Sequence, residues 1–197
     1  MRTLVGYAAL VCGVVAMMGN VQAADDKVDL KVGDKAPSFT ALDDSGKPFN
    51  SEDVVGKKIV VVYFYPADFT GGCTKQACGF RDDMTKLASK DVVVIGVSCD
   101  SVATHAAFKK HHKLNFTLLA DEKGEVARKF GVPLSGKGGT AKGFDLQGNE
   151  ATFKRENSAA RWTFVIGKDG RIAMKNTKVS AADDSKAVLE AIEKLAK

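Results

Sequence analysis

Two unbroken apolar runs constrain the fold of this chain more than any other feature. Residues 59–65 read IVVVYFY and residues 92–98 read VVVIGVS. Continuous runs of β-branched and aromatic residues are typical of strands that are buried on both faces of a sheet. We therefore predict a central sheet that is covered on both sides.

The remaining segments alternate between strand and helix patterns. Further strands are predicted over residues 36–42, 116–119, 162–166 and 172–175, and helices over residues 74–89, 101–112, 124–130 and 183–196. The Gly-rich segment 133–143 is predicted as a loop. This order of segments predicts an α/β fold with a central mixed sheet flanked by helices.

Composition places the chain among ordinary globular proteins. It has 197 residues, of which 45% are hydrophobic and 27% charged, so a disordered or collagen-like chain is excluded. Four cysteines are too few for a disulfide scaffold. The net charge of +5 is small and both signs are mixed along the chain, so we expect no nucleic-acid partner.

The first 23 residues have the three-part pattern of a secretory signal. Arg2 is the only charge, an apolar run covers residues 4–18, and small residues lead up to Ala23. We predict cleavage after Ala23, which leaves a single domain over residues 24–197 with no membrane contact. The alternative is a leader retained as an anchor, although the run is short for a membrane span.

Three cysteines then remain, namely Cys73, Cys78 and Cys99. Export favours an oxidising compartment, yet an odd number of cysteines cannot all pair within one molecule. At least one thiol therefore stays free, or the cysteines perform chemistry.

Cys73 is predicted to lie in the first turn of a helix. The buried strand before it ends at Pro66, and a turn containing Gly71 and Gly72 follows. Unpaired backbone N–H groups and the positive end of the helix dipole would stabilise a thiolate at Cys73. Thr70 could donate its hydroxyl to the sulfur or to an incoming oxygen. The alternative is a buried structural cysteine, which would not need the two glycines.

The spacing between Cys73 and Cys78 argues against a permanent disulfide. Residues five apart in one α-helix have Cα atoms about 8.7 Å apart, whereas a disulfide needs less than about 7 Å. Two Cys separated by four residues also depart from the usual zinc spacing. The spacing suits a cycle in which Cys73 is oxidised first and Cys78 attacks it after local unfolding.

Pro66, Thr70 and Cys73, with Cys78 five residues later, resemble the active site of the peroxiredoxin family, in its Q or bacterioferritin comigratory protein branch. Three further stretches are similar to that branch, at residues 33–39, 94–98 and 161–166, so the resemblance covers about residues 32–196. The segment 133–157 departs most from the family pattern.

The resemblance implies a thioredoxin-like fold and a thiol-dependent peroxidase. Cys73 would become a sulfenic acid and Cys78 would resolve it as an intramolecular disulfide. Arg161 would hold the thiolate and polarise the peroxide, together with Thr70. Gln76 would hydrogen bond near Arg161.

The resemblance also implies the partners of the reaction. Hydrogen peroxide and organic hydroperoxides would be the substrates, in a pocket formed by Pro66 and Gly72, and a thioredoxin-like or other dithiol protein would be the reductant. Neither cofactor nor metal is expected. We expect a monomer, because both reacting cysteines lie in one chain, and an exported protein of the bacterial periplasm.

Two other functions compete with this interpretation. An exported thiol–disulfide oxidoreductase would have two residues between its cysteines, and here there are four. A copper-binding module of the SCO type would need a His far downstream, and His112 is the last histidine. Cys99 is interpreted as a buried packing thiol, with a role as an alternative resolving cysteine left open.

Overall fold

The computed structural model describes residues 28–195. The predicted leader, residues 1–23, lies outside this part, so its cleavage stays a prediction. The described elements are β1 (Thr40–Asp43), β2 (Pro48–Asn50), β3 (Ile59–Phe64), α1 (Gly71–Ala88), β4 (Val92–Ser98), α2 (Val102–His112), β5 (Thr117–Ala120), α3 (Glu125–Lys129), β6 (Leu134–Ser135), β7 (Gly139–Phe144), β8 (Glu150–Arg155), β9 (Ser158–Ala159), β10 (Trp162–Ile166), β11 (Ile172–Asn176) and α4 (Asp184–Leu195).

Seven strands form the central sheet, in the order β11-β10-β3-β4-β5-β1-β2. The pairs β3–β4 and β4–β5 are parallel, and the remaining pairs are antiparallel. The predicted α/β fold with a central mixed sheet is therefore confirmed.

Two apolar cores lie on opposite faces of this sheet, because successive side chains of β3 point to opposite sides. One core contains Val60, Val62 and Phe64 with α3, and the other contains Val61 and Tyr63 with α1, α2 and α4. All of these β3 side chains are fully buried. This explains why the run has no polar alternation.

The antiparallel pairing of β10 with β3 determines where the active groups meet. Trp162 pairs with Phe64, and Ile166 pairs with Val60. The first residue of β10 therefore lies beside the last residue of β3. As a result, Arg161, which precedes β10, is placed next to the loop that follows β3.

The Gly-rich segment 133–143 was predicted as a loop, and this prediction is wrong. It contains β6 and β7, and β7 pairs with β8 in an antiparallel hairpin. Gly143 serves close packing rather than flexibility, because a Cβ there would lie 2.4 Å from Cγ of Phe69. The hairpin thus rests on the loop that leads to Cys73.

The described residues include no helix that is long and apolar enough to span a membrane.

Candidate active site

Cys73 is the third residue of α1. The helix begins at Gly71 rather than at the predicted Thr74, and Thr70 is its N-cap with an extended backbone. Backbone N–H groups of a first helical turn have no intrahelical acceptor, so they point at whatever lies in front of the helix. The Cys73 side chain is buried, with the whole residue 1% exposed.

Arg161 contacts the sulfur directly. Its Nη2 atom donates to Sγ of Cys73 over 3.1 Å. A cation at this distance stabilises a thiolate relative to a thiol. A Cβ at Gly72 would lie 3.4 Å from the same Nη2 atom. Gly72 therefore leaves room for the guanidinium beside the helix end.

The second arm of the guanidinium is held by Gln76. Nη1 of Arg161 donates to Oε1 of Gln76, and Nε2 of Gln76 donates to Oδ2 of Asp184 over 2.7 Å. Oγ1 of Thr163 donates to the same Asp184 oxygen, also over 2.7 Å. Sequence reasoning found Gln76 but missed Thr163 and Asp184. An Asp at the start of a helix is a common sequence feature, so nothing in the sequence distinguishes Asp184.

Thr70 is oriented differently from the prediction. Its hydroxyl donates to the carbonyl oxygen of Ala67 over 3.0 Å and does not cap α1. A hydroxyl has a single hydrogen, so the lone pairs of Thr70 remain free to accept a donor. Pro66, at the start of the same loop, is half-buried.

A buried polar network anchors this loop from below. Nδ1 of His105 lies 2.7 Å from Oδ2 of Asp68, and Nε2 of His105 lies 3.1 Å from the carbonyl oxygen of Leu119. Oη of Tyr65 donates to Asp68 over 2.8 Å. Asp68 and His105 are fully buried. Burial alone would lower the pKa of His105, but the Asp68 carboxylate and the Leu119 carbonyl raise it above its ordinary value of 6.5.

Phe69 contacts the β7–β8 hairpin from the same loop. Its ring stacks on Phe153, with 5.1 Å between centroids and 5° between planes, and meets Phe108 edge to face at 5.1 Å. His111 stacks on Phe144 at 4.5 Å. The hairpin and the end of α2 therefore hold the loop between them.

Cys78 and Cys99 differ in their surroundings. Cys78 lies half-buried in α1, in the same unbroken helix as Cys73, and all three described cysteines are free thiols. Cys99 is 2% exposed, and burial, with the nearby Asp121 and Asp100 carboxylates, raises its pKa to about 12. A thiol with this pKa is a poor nucleophile at neutral pH.

Among residues 28–195, no group of three or more His, Cys, Asp or Glu side chains could hold a metal ion.

Comparison with solved structures identifies the class of protein that this fold and site define. Peroxidoxin BcpB of Mycobacterium tuberculosis superposes with a TM-score of 0.69 at 30% identity, over 85% of this chain and 99% of that one. Peroxiredoxin Q of Xylella fastidiosa superposes with a TM-score of 0.71 over 86% of this chain and 99% of that one; at 22% identity this shows the fold. The fold is the thioredoxin-like fold of peroxiredoxins.

Sequence comparison gives the family. The model of the AhpC/TSA family matches residues 32–175. Peroxiredoxin Bcp of Bacillus subtilis (strain 168) is 38% identical over 84% of this chain and 95% of its own length. The chloroplastic peroxiredoxin Q of Oryza sativa subsp. japonica is 50% identical over 51% of this chain, which spans about half the length of that relative. The chain therefore belongs to the AhpC/TSA family, as a thiol-dependent peroxidase of the peroxiredoxin Q/Bcp group.

Proposed function

We propose that Cys73 reduces hydroperoxides and that Cys78 resolves the oxidised product within the same chain. The observation that carries this proposal is the 3.1 Å contact between Nη2 of Arg161 and Sγ of Cys73 at the N-terminus of α1. The contact places a positive charge at the sulfur of a residue in the first turn of a helix, where backbone N–H groups have no intrahelical acceptor.

In the first step, the thiolate of Cys73 attacks the terminal oxygen of the peroxide. An S–O bond forms and the O–O bond breaks, so Cys73 becomes a sulfenic acid. The leaving oxygen takes a proton from water and departs as water or an alcohol. Arg161 and the N–H of Cys73 stabilise the charge that moves across the two oxygens. The hydroxyl oxygen of Thr70 accepts a hydrogen bond from the O–H of the peroxide, because the hydroxyl hydrogen of Thr70 is already donated to the Ala67 carbonyl.

In the second step, the thiol of Cys78 attacks the sulfur of Cys73. A disulfide forms and the hydroxyl leaves as water. Both residues lie in α1, where helix geometry keeps their Cα atoms about 8.7 Å apart. The first turns of α1 must therefore unwind before the disulfide can close.

The disulfide is returned to two thiols by exchange with an external dithiol protein of the thioredoxin type, which becomes oxidised itself. Hydrogen peroxide and organic hydroperoxides are the proposed substrates, with Pro66 and Gly72 at the rim of the site. A monomer is sufficient for this cycle, because one chain supplies both cysteines.

Mass spectrometry after one equivalent of hydrogen peroxide tests the proposal. A Cys73–Cys78 disulfide is expected, while a Cys73–Cys99 or intermolecular link would overturn the resolving role. Cys73→Ser should abolish peroxide consumption, and native consumption in that variant would refute the proposal. Cys78→Ser should complete one turnover and then fail to recycle with a dithiol reductant.

We also propose that the protein is exported to the bacterial periplasm. The support is the leader pattern of residues 1–23, with one charge followed by an apolar run and small residues. N-terminal sequencing of protein from a periplasmic fraction should start at Ala24. Recovery of the full-length chain from the cytoplasmic fraction would contradict export.

A further inference from the structure

We propose that Asp184 is a positioning residue for the peroxidase reaction: it fixes the orientation of the Gln76 amide, and Gln76 in turn fixes Arg161 against Cys73. This inference rests on the proposed function and adds to it a residue from the C-terminal helix. The bonds that support it run from Asp184 through Gln76 and Arg161 to the sulfur.

The side-chain amide of Gln76 has two possible orientations. A Gln side chain has one accepting end and one donating end, whereas a carboxylate only accepts and a guanidinium only donates. With Asp184 on one side, Nε2 of Gln76 must face it, and Oε1 must face Arg161. The reversed amide would bring oxygen against oxygen at Asp184 and N–H against N–H at Arg161. The carboxylate of Asp184 therefore selects one of two amide orientations.

The guanidinium of Arg161 is oriented by two acceptors. Arg161 donates through Nη1 to Gln76 and through Nη2 to Cys73, so two arms of one planar group have separate acceptors. A planar group held at two points cannot rotate away from either. Loss of the Gln76 acceptor would leave Arg161 tied to the sulfur alone, at the moment when the sulfur changes its charge.

The burial of Asp184 is unfavourable for the stability of the fold. The residue is 2% exposed, and its Oδ1 atom has no hydrogen-bond partner. Burial raises the pKa of its carboxyl against the lowering effects of Thr163, Gln76 and Arg161. A buried carboxyl with an unpaired oxygen does not contribute favourably to stability. The hydrogen bonds that connect Asp184 through Gln76 and Arg161 to the reacting sulfur give the residue a functional reason to be there.

The test measures the rate at which hydrogen peroxide oxidises Cys73 in Cys78→Ser protein, so that only the first step is observed. Asp184→Leu removes the acceptor at similar size, and we expect the rate to fall about tenfold or more. Asp184→Asn retains an amide oxygen that can accept from Gln76, so its rate should stay within about threefold of the Cys78→Ser parent. Equal losses in the Leu and Asn variants would overturn the acceptor role.

The pathway is tested by combining Asp184→Leu with Gln76→Met. If Asp184 acts through Gln76, the double variant should be no slower than Gln76→Met alone. Multiplied losses, as expected for two independent structural defects, would overturn the proposal.

Ser185→Ala is the matched control. Ser185 lies next to Asp184 and also joins α4 to α1, since its hydroxyl donates to Asp83 over 2.8 Å. It is not connected to Arg161 by these bonds, so the rate should be unchanged; a loss as large as in Asp184→Leu would make the effect one of helix packing. If the Cys78→Ser parent itself fails to react with peroxide, the proposed function fails; a reactive parent with a fully active Asp184→Leu variant defeats only this inference.

Discussion

At the scale of single residues, Arg161 is the group whose geometry matters most. Its planar fork supplies donors to two acceptors in different directions, the Cys73 sulfur and the Gln76 oxygen. A lysine ammonium carries the same charge but presents it as one compact point. Charge alone therefore does not reproduce what Arg161 does.

Arg161→Lys should lower the rate of reaction with hydrogen peroxide by about 10²-fold or more, the size of loss found when one donor to developing charge is removed. The measurement is stopped-flow or competition kinetics with purified protein. Arg81→Lys is the control, because Arg81 lies further along α1 and contacts Asp82 and the His112 carbonyl instead. A rate for Arg161→Lys within threefold of wild type would contradict this view of the site.

At the scale of elements, the loop between β3 and α1 depends on α2 through the pair of Asp68 and His105. Both ring nitrogens of His105 face oxygen acceptors, an arrangement that favours the doubly protonated, positively charged ring. This agrees with the raised pKa of His105. The pair connects the fold of α2 to the position of the catalytic loop.

Stability should therefore depend on pH through His105. Because the pKa of His105 is higher in the folded chain than its ordinary value of 6.5, the folded state binds the proton more tightly than the unfolded state. The stabilisation is complete below about pH 6.5 and is lost as the pH rises through the raised folded value. Urea unfolding at pH 6.5 and pH 9 should show a lower free energy of unfolding at the higher pH.

The His105→Gln variant provides the comparison, since its amide can donate to Asp68 but cannot titrate in this range. Its free energy of unfolding should change less between the two pH values than that of the wild type. An identical pH dependence in both proteins would exclude His105 as the source.

The β7–β8 hairpin is the second element that holds the loop. Gly143→Ala would place a methyl group 2.4 Å from Cγ of Phe69, so that the hairpin or the Phe69 ring must move. We expect a destabilisation of about 1–3 kcal/mol, as for other overpacked sites, and a slower reaction with peroxide. Thermal unfolding and peroxide kinetics measure both effects.

Gly136→Ala is a suitable control for that change, because no heavy atom beyond Gly136 and its two chain neighbours lies within 4 Å of a Cβ there. In a Phe69→Ala background the Gly143→Ala change should cost little, because the ring that it meets is gone. If Gly143→Ala remained equally harmful there, contact with Phe69 would not be the cause.

The sequence predicts the sheet better than the connections between its elements. Residues 59–65 and 92–98 have one dominant signal, burial on both faces, and the structure places strands β3 and β4 there. Segment 133–143 gives a false signal, because its glycines resemble those of a loop although Gly143 makes room for an aromatic ring. Asp184 is distant in sequence from Gln76, so only the packing of α4 on α1 brings them together.

At the scale of the whole molecule, the structure is that of the reduced thiols, and the oxidised form should be less stable. Closing the proposed Cys73–Cys78 disulfide would unwind the first turns of α1, remove Cys73 and Ala77 from the core on that face and separate Arg161 from the sulfur. The new cross-link closes a short loop and returns only about 2 kcal/mol. The strands of the central sheet are not part of this change.

Peroxide-treated protein should therefore melt at least about 2 °C below the dithiol-treated protein, a shift of roughly 1 kcal/mol in a chain of this size. Its far-UV circular dichroism should show less helix. Cys73→Ser, which cannot form the disulfide, should melt at the same temperature after either treatment. A higher melting temperature on oxidation would mean that α1 tolerates the disulfide without unwinding.

The backbone conformation of Phe69 favours the unwinding of α1 over its closure. Its backbone lies at φ +57°, in the left-handed region, where a residue with a side chain stores about 1–2 kcal/mol. Phe153 of the hairpin, which stacks on the Phe69 ring, and Phe108 of α2, which meets it edge to face, hold the residue in place. If the start of α1 unwinds as proposed, Phe69 would be free to return to an ordinary backbone conformation and release that energy. The left-handed backbone of Phe69 in the reduced protein would therefore offset part of the energy that is needed to unwind the start of α1.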